Sequence, residues 1–143
     1  MTVSSIQLLL LAAVGLAAAV YIWMGVQRSM QATARFFNGL VQRLSPVLEA
    51  KGFRLTRHVY LRKSFGHRIA TFEGPSFIVD LAWEGRDREI LLLQRSLDQS
   101  NVAAGDHLAD AHIPQGAPSE VYARATETIM RAAESVGRSL PRV

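Results

Sequence analysis

Hydrophobic side chains are unevenly distributed along this chain of 143 residues, and their spacing changes along it. From Ile6 to Val26 no charged residue occurs, and Gln7 is the one strongly polar side chain. An α-helix rises 1.5 Å per residue, so about 20 residues cross a hydrocarbon core of roughly 30 Å. The sequence therefore predicts a transmembrane anchor over residues 1–27. The expected interface anchors are Tyr21, Trp23 and Arg28.

Two other interpretations of this stretch are a cleaved signal peptide and the buried helix of a soluble protein. A signal peptide has a positive leader and an apolar run of about 7–15 residues, whereas this leader carries no Lys or Arg and its apolar run is longer. We therefore expect the span to be retained. Small residues recur within it at three- and four-residue spacing, which lets helices approach closely, although a general abundance of alanine would give the same pattern. The expected helix-packing residues are Ala12, Gly15 and Ala19.

Helical spacing continues after the span, now with a single apolar face. That spacing predicts a juxtamembrane amphipathic helix over residues 28–52. Pro46 either kinks a continuous helix or begins a new one capped by Ser45, and Gly52 is the expected helix stop. The sequence leaves open whether this helix continues the membrane helix. The apolar positions are Phe37, Leu40, Val41, Leu44 and Leu48.

After residue 52 the hydrophobic period changes to two, which is typical of half-buried strands. Four such segments are joined by hairpin-length turns and predict an antiparallel meander. In the first, over residues 53–61, the apolar side chains are expected on one face. In the third, Asp80 faces away from the apolar side chains and is expected to be exposed or paired with a neighbouring Arg. Residues 97–118 lack periodicity and predict an irregular loop.

A last helix is predicted with Ser119 as its N-cap and Gly137 as its stop. The elements together predict an α+β fold: a single N-terminal transmembrane helix, then a small domain of amphipathic helix, four-stranded antiparallel β-meander and C-terminal helix. The predicted organisation is an anchor over residues 1–27, a juxtamembrane helix over 28–52 and a cytoplasmic α+β domain over 53–143.

The net charge of +4 hides an asymmetry along the chain. Residues 28–68 carry nine basic side chains and one acidic one, a net +8, whereas residues 69–143 carry seven basic and eleven acidic ones, a net −4. A basic residue beside an anionic leaflet contributes about 1 kcal/mol of attraction. Because the cations follow the span, the positive-inside rule predicts an N-terminus outside and a cytoplasmic C-terminal domain. The expected partner or lipid contacts are Arg35, Arg43, Arg54, Arg57, Arg62 and Lys63.

The side chains that carry chemistry form no recognisable catalytic or metal motif. The chain has no cysteine, which excludes disulfides, thiolate metal sites and cysteine nucleophiles. Asp106, His107, Asp110 and His112 are residue types that can ligate a divalent metal, but His107 and His112 are five residues apart, which fits neither one helix face nor an HExxH motif. His58 and His67 lie among cations without an obvious orienting carboxylate. We therefore expect no cofactor, no metal and no catalytic residue.

These observations predict a non-catalytic accessory or assembly subunit of a bacterial inner-membrane complex, photosynthetic or respiratory. Its expected partners are larger integral membrane subunits and anionic lipid headgroups. The alternative is a membrane-tethered cytoplasmic module that binds a peptide, ligand or nucleic acid through Arg54, Tyr60 and Arg62. Nucleic acid is not the expected partner, because no RRM or KH motif accompanies these residues.

Overall fold

The computed structural model describes residues 5–98 and 105–137 and has the predicted α+β class. In chain order the elements are α1 (Ser5–Glu49), β1 (Arg54–Leu61), β2 (His67–Glu73), β3 (Phe77–Glu84), β4 (Glu89–Ser96), β5 (Asp106–His112) and α2 (Ser119–Ser135). The chain divides into two compact units, Met1–Ala34 and Arg35–Val143, and this boundary falls within α1.

The first unit contains the N-terminal part of α1, which is long and apolar enough to cross a membrane. Its most apolar 18-residue window has a mean hydropathy of 2.2, and no part of that window is buried inside the structure. The whole helix has 45 residues, more than the roughly 20 that cross a hydrocarbon core.

Two questions that the sequence left open about α1 are answered by its backbone. The juxtamembrane helix continues the helix of the apolar stretch, because α1 is assigned as one helix from Ser5 to Glu49, and Pro46 lies within it. Ser45 does not cap a new helix, because its hydroxyl donates a hydrogen bond of 2.8 Å to the Val41 carbonyl within the same helix. This bond to the preceding turn is a common use of serine inside helices.

The end of α1 is a Schellman motif built around Gly52. The Phe53 N–H donates to the Leu48 carbonyl at 3.0 Å, and the Gly52 N–H donates to the Glu49 carbonyl at 2.9 Å. Gly52 has a φ of +86°, which a residue without a Cβ adopts at little cost. Leu48 and Phe53 are both buried, as the hydrophobic contact of this motif requires. Gly52 is thus confirmed as the helix stop.

The sheet has five antiparallel strands in the order β1-β2-β3-β4-β5, so the prediction of four strands is wrong. The additional strand, β5, lies within the segment predicted as an irregular loop. It is an edge strand whose inward side chains include the small Ala109 and Ala111, and a register shift between Leu92 and Leu93 interrupts its pairing with β4. Small side chains and a bulge weaken the period-two hydrophobic signal, which explains the error.

A second bulge, in β1, reverses the faces expected for that strand. The pairing of β1 with β2 shifts just after Leu55. Beyond the shift, Val59 pairs with Ile69 on the sheet face away from the helices, whereas the ring of His58 lies 5.7 Å from the ring of Phe37 in α1. The expectation that one face of residues 53–61 carries all the apolar side chains is therefore wrong, because an inserted residue inverts the alternation.

The hydrophobic core lies between one face of the sheet and two helices. The α1 segment from residue 36 and α2 run side by side in the same direction, since the rings of Phe36 and Tyr122 are 5.1 Å apart near one end. At the other end the Lys51 ammonium donates to the carbonyls of Glu134 at 2.8 Å and Val136 at 3.0 Å. The core includes Phe37, Leu40, Val41, Leu44, Leu48, Phe72, Val79, Leu81, Trp83, Ile90, Leu92, Ala125, Ile129 and Ala133.

The boundaries of α2 differ slightly from the predicted ones. Pro118 occupies the N-cap position with an extended backbone and no side-chain cap bond, and Ser119 is the first helical residue. The predicted N-cap is therefore wrong by one residue. The helix ends at Ser135, and Gly137 follows with a φ of +80°, as expected of a helix stop.

Candidate functional site

The two turns at one end of the sheet pack directly against each other. In an antiparallel meander the β1–β2 and β3–β4 turns lie at the same end. A Cβ added to Gly85 in the β3–β4 turn would collide with the carbonyl oxygen of Phe65 in the β1–β2 turn and lie 2.7 Å from its carbonyl carbon. The absence of a side chain at Gly85 therefore allows the two turns to form one surface.

The β1–β2 turn presents an aromatic ring to solvent from an unusual backbone conformation. The His67 N–H donates to the Ser64 carbonyl at 2.9 Å, and the two central residues, Phe65 and Gly66, have φ values of +53° and +74°. Asn, Asp or Gly normally occupies the first of these positions, because a positive φ costs other residues roughly 1–2 kcal/mol. Phe65 is nevertheless 71% exposed.

Exposed cations lie in the same two turns as this ring. Arg62 and Lys63 in the β1–β2 turn and Arg86 in the β3–β4 turn are all exposed, and the Arg86 guanidinium lies 6.0 Å from the Phe65 ring centroid. The acids at this end are Asp87, which is exposed, Glu89, which is partly buried and pairs in register with Glu84, and Glu84 itself, whose carboxylate lies 3.0 Å from Nδ1 of His67. We call Arg62, Lys63, Phe65 and Arg86 the hairpin-tip surface.

Two further arginines near this end are held by aromatic rings. The Arg68 guanidinium lies 4.1 Å from the ring centroid of Tyr60, and that of Arg88 lies 5.6 Å from the ring of Trp83. Arg88 Nε also donates to the Ile113 carbonyl at 2.9 Å. Within the part of the chain that the structure describes, Arg68 Nε is buried and has no hydrogen-bond partner. Stacking on the rings fixes both cations in place.

The opposite end of the sheet has the reverse charge. The acids there are Glu49, Glu73, Asp98 and Asp106, against Lys51 and Arg54. The Lys51 ammonium is already occupied with the last carbonyls of α2. The Ser96 hydroxyl and the backbone N–H of Asp98 donate to the Asp98 carboxylate and lower its pKa below the ordinary value. The domain therefore carries positive charge at its hairpin tips and negative charge at the far end.

A buried ion pair lies on the sheet face that the helices do not cover. Asp80 has no exposed surface, and its carboxylate accepts hydrogen bonds of 2.6 Å from Nε of Arg95 and 2.6 Å from the Thr71 hydroxyl. Of the two expectations for Asp80, pairing with a neighbouring Arg is confirmed and exposure is wrong. Thr71 pairs in register with Asp80 across β2 and β3, whereas Arg95, whose register partner on β3 is Ile78, reaches Asp80 diagonally from β4. The three side chains together link these strands.

The six basic residues predicted to contact partners or lipid are not brought together. Arg35 and Arg43 lie exposed on α1. Arg54 begins β1 and Arg62 follows its last residue, so the two are about 26 Å apart at 3.3 Å per residue. Arg57 pairs in register with Thr71 on the sheet face away from the helices. Arg62 and Lys63 remain adjacent on the hairpin-tip surface.

The predicted helix-packing residues do share one side of α1. Ala12, Gly15 and Ala19 fall within about 60° of one another at 100° per residue, and nothing lies within 4 Å of a Cβ built on Gly15. The interface anchors Tyr21 and Trp23 are 81% and 63% exposed, and Arg28 is exposed as well. Side chains of this kind are available to lipid or to another helix.

The histidine and aspartate residues weighed as metal ligands lie along β5, where Asp106, His107, Asp110 and His112 are all exposed. Among the described residues, no group of three or more His, Cys, Asp or Glu side chains is placed to hold a metal ion.

Sequence reasoning missed Phe65 and Arg86 as parts of a surface. The available signal was a bulky residue before Gly66 in a turn, where a small polar residue is usual. Comparison with known protein families, curated proteins and solved structures finds no match to this chain.

Proposed function

We propose that this chain is a single-pass protein of the bacterial inner membrane and a non-catalytic accessory or assembly subunit of a larger membrane complex, photosynthetic or respiratory. The observation that carries the proposal is the exposed apolar surface of α1, whose 18-residue window of mean hydropathy 2.2 has no buried part. A contiguous apolar surface of this size is unfavourable in water, and soluble monomers rarely expose one. A bilayer and neighbouring transmembrane helices would cover it.

The orientation follows from the charges next to the span. Arg28, Arg35 and Arg43 follow the apolar stretch, and residues 1–5 contain no Lys or Arg. Basic residues are retained on the cytoplasmic side during insertion, so the proposed topology has the N-terminus outside and the α+β domain in the cytoplasm.

The non-catalytic role is supported by how the domain uses its polar side chains. Asp80 and Arg95 form an ion pair inside the sheet, His67 contacts Glu84, and Lys51 binds the carbonyls at the end of α2. These groups stabilise the fold, and a span without Asp, Glu, Lys, Arg or His has no charged side chain for an ion relay and no His to ligate a haem iron. The proposed role of the span is therefore to pack against the transmembrane helices of other subunits.

The alternative function, a tethered ligand-binding module, has less support. It requires Arg54, Tyr60 and Arg62 to act together, but Tyr60 is stacked against Arg68, and Arg54 begins β1 whereas Arg62 follows its last residue.

The proposal is tested by purifying a tagged copy from bacterial membranes in a mild detergent. We expect the protein to resist carbonate extraction and to copurify with a stoichiometric integral membrane partner. Extraction by carbonate would overturn the membrane anchor. Recovery of the protein from the membrane without any stoichiometric partner would overturn the role as a subunit while leaving the anchor intact.

A further inference from the structure

We propose that the hairpin-tip surface binds the headgroups of anionic lipids and inserts the Phe65 ring into the membrane interface. This inference rests on the proposed function, because it requires the anchor to hold the domain beside a bilayer. It adds a specific contact surface to that function.

The first support is the sign of the charge. Arg62, Lys63 and Arg86 are exposed together, while the acids at this end are the exposed Asp87 and the partly buried Glu84 and Glu89, of which Glu84 is in contact with His67. Such a cluster is attracted to the negative surface potential of an anionic leaflet. At the opposite end of the sheet the acids Glu49, Glu73, Asp98 and Asp106 outnumber Lys51 and Arg54, so an anionic membrane attracts the hairpin-tip end more than the far end.

The second support is the exposed apolar ring in the same pair of turns as these cations. Phe65 is 71% exposed, and the neighbouring Leu61 is 38% exposed. An aromatic side chain with basic neighbours is typical of surfaces that lie in the headgroup region of a bilayer. The positive φ of Phe65 is unfavourable for a bulky residue, and no burial inside the domain compensates for it. Strained backbone that the fold does not need is characteristic of functional sites.

The third support is the position at which the chain enters the domain. Residues 36 and 37 contact Tyr122 and His58, and α1 then runs toward Glu49 and the far end of the sheet. Arg35 therefore lies toward the hairpin-tip end. Residue 26, the last of the apolar stretch, is nine positions before Arg35, so even an extended chain tethers that end within about 30 Å of the span.

The experiment uses the absence of cysteine in the full chain to place single fluorescent labels. Ser64→Cys places a label beside Phe65, and Ser76→Cys places one in the β2–β3 turn at the opposite end of the domain, where the residue is also exposed. Leu11→Cys reports on the span. Each labelled protein is reconstituted into phosphatidylcholine vesicles with or without phosphatidylglycerol, and quenching by lipids brominated in their acyl chains is measured.

We expect the Leu11→Cys label to be quenched in both vesicle types. The Ser64→Cys label should be quenched severalfold more when phosphatidylglycerol is present, and the Ser76→Cys label should not be. Adding Phe65→Asn to Ser64→Cys should abolish most of the quenching. Asn tolerates a positive φ, so this change removes the ring without disrupting the turn, and an unchanged thermal unfolding transition or a more stable one would verify that.

The outcomes separate this inference from the function on which it rests. Loss of quenching at Leu11→Cys would overturn the membrane anchor. If the Leu11→Cys label is quenched but the Ser64→Cys and Ser76→Cys labels show equal, low quenching, lipid binding by the hairpin-tip surface is overturned and the membrane anchor stands. A Ser64→Cys label shielded from aqueous iodide in the purified complex, but not quenched by lipid, would also overturn it and assign the surface to a protein subunit.

Discussion

The carboxylate of Asp80 accepts a hydrogen bond of 2.6 Å from Nε of Arg95, at a position where the Asp80 side chain has no exposed surface and that of Arg95 is 9% exposed. The two residues lie on neighbouring central strands, and the Thr71 hydroxyl completes the contact from the next strand. Burial of a charge without its partner is strongly unfavourable, so loss of either residue of this pair would destabilise the folded sheet.

Breaking this pair should destabilise the domain. Asp80→Asn leaves the Arg95 charge buried without its carboxylate, and we expect a loss of about 3 kcal/mol in the free energy of unfolding. Urea unfolding of the full chain in mild detergent, followed by near-ultraviolet circular dichroism, measures it. The matched control is Asp87→Asn in an exposed turn, for which we expect a change below about 0.5 kcal/mol. A combined Asp80→Leu and Arg95→Met variant should recover most of the lost stability, because it buries no unpaired charge. Equal effects of Asp80→Asn and Asp87→Asn would contradict a stabilising role for the Asp80–Arg95 pair.

The contact between the two hairpin tips should not tolerate a side chain at Gly85. Gly85→Ala pushes a methyl group into the Phe65 carbonyl, and we expect it to lower the free energy of unfolding by about 2 kcal/mol. The same measurement applied to Gly39→Ala provides the control, because nothing lies within 4 Å of a Cβ at this helical position. That variant should be neutral or more stable by up to about 1 kcal/mol, since alanine favours a helix. Gly85→Ala with wild-type stability would show that the tips do not touch in solution.

Lys51 joins the end of α1 to the end of α2 through two backbone carbonyls. A cation at a helix C-terminus is favourable because the carbonyls there carry partial negative charge. Lys51→Met should cost about 1 kcal/mol of unfolding free energy and should accelerate hydrogen exchange of the last amides of α2. Lys63→Met, the same substitution in an exposed turn, should leave the exchange of those amides unchanged. Slow exchange in both variants would mean that the lysine does not stabilise α2.

The packing role assigned to one side of the span can be tested with two alanines. Ala19→Leu adds bulk on the side shared with Ala12 and Gly15, whereas Ala17→Leu adds the same bulk about 160° away, at 100° per residue. We expect Ala19→Leu to reduce the amount of copurified partner severalfold and Ala17→Leu to leave it unchanged. Both proteins should stay in the membrane fraction. Equal copurification by the two variants would rule out this side of the helix as the contact.

The local pattern of the sequence was sufficient for most of the elements. The α1 apolar stripe, the Gly52 stop and the first four strands have strong signals, because large apolar side chains or a glycine mark each of them. The fifth strand was missed since its inward positions include Ala109 and Ala111, which contribute little hydrophobic signal. The bulge after Leu55 was missed because an inserted residue leaves the composition of the strand unchanged.

The residues of the hairpin-tip surface were likewise only partly predictable from the sequence. Arg62 and Lys63 were identified from charge alone, because they are adjacent in the chain. Arg86 and Phe65 could not be joined to them from the sequence, since about twenty residues separate the two turns and only the meander brings them to one end of the sheet.

By itself, the sequence determined that the chain begins with an uncharged apolar stretch long enough for a bilayer, that cations follow it, and that helices flank a meander. These properties depend on residues a few positions apart, so the spacing of apolar and charged residues along the chain is sufficient to predict them. Only the tertiary structure decided that α1 passes unbroken through Pro46, that Asp80 is buried against Arg95, and that two turns share one cationic surface around Phe65. Each of those depends on contacts between side chains and backbone groups in different elements or turns, and the local spacing of residues does not predict the energies of such contacts.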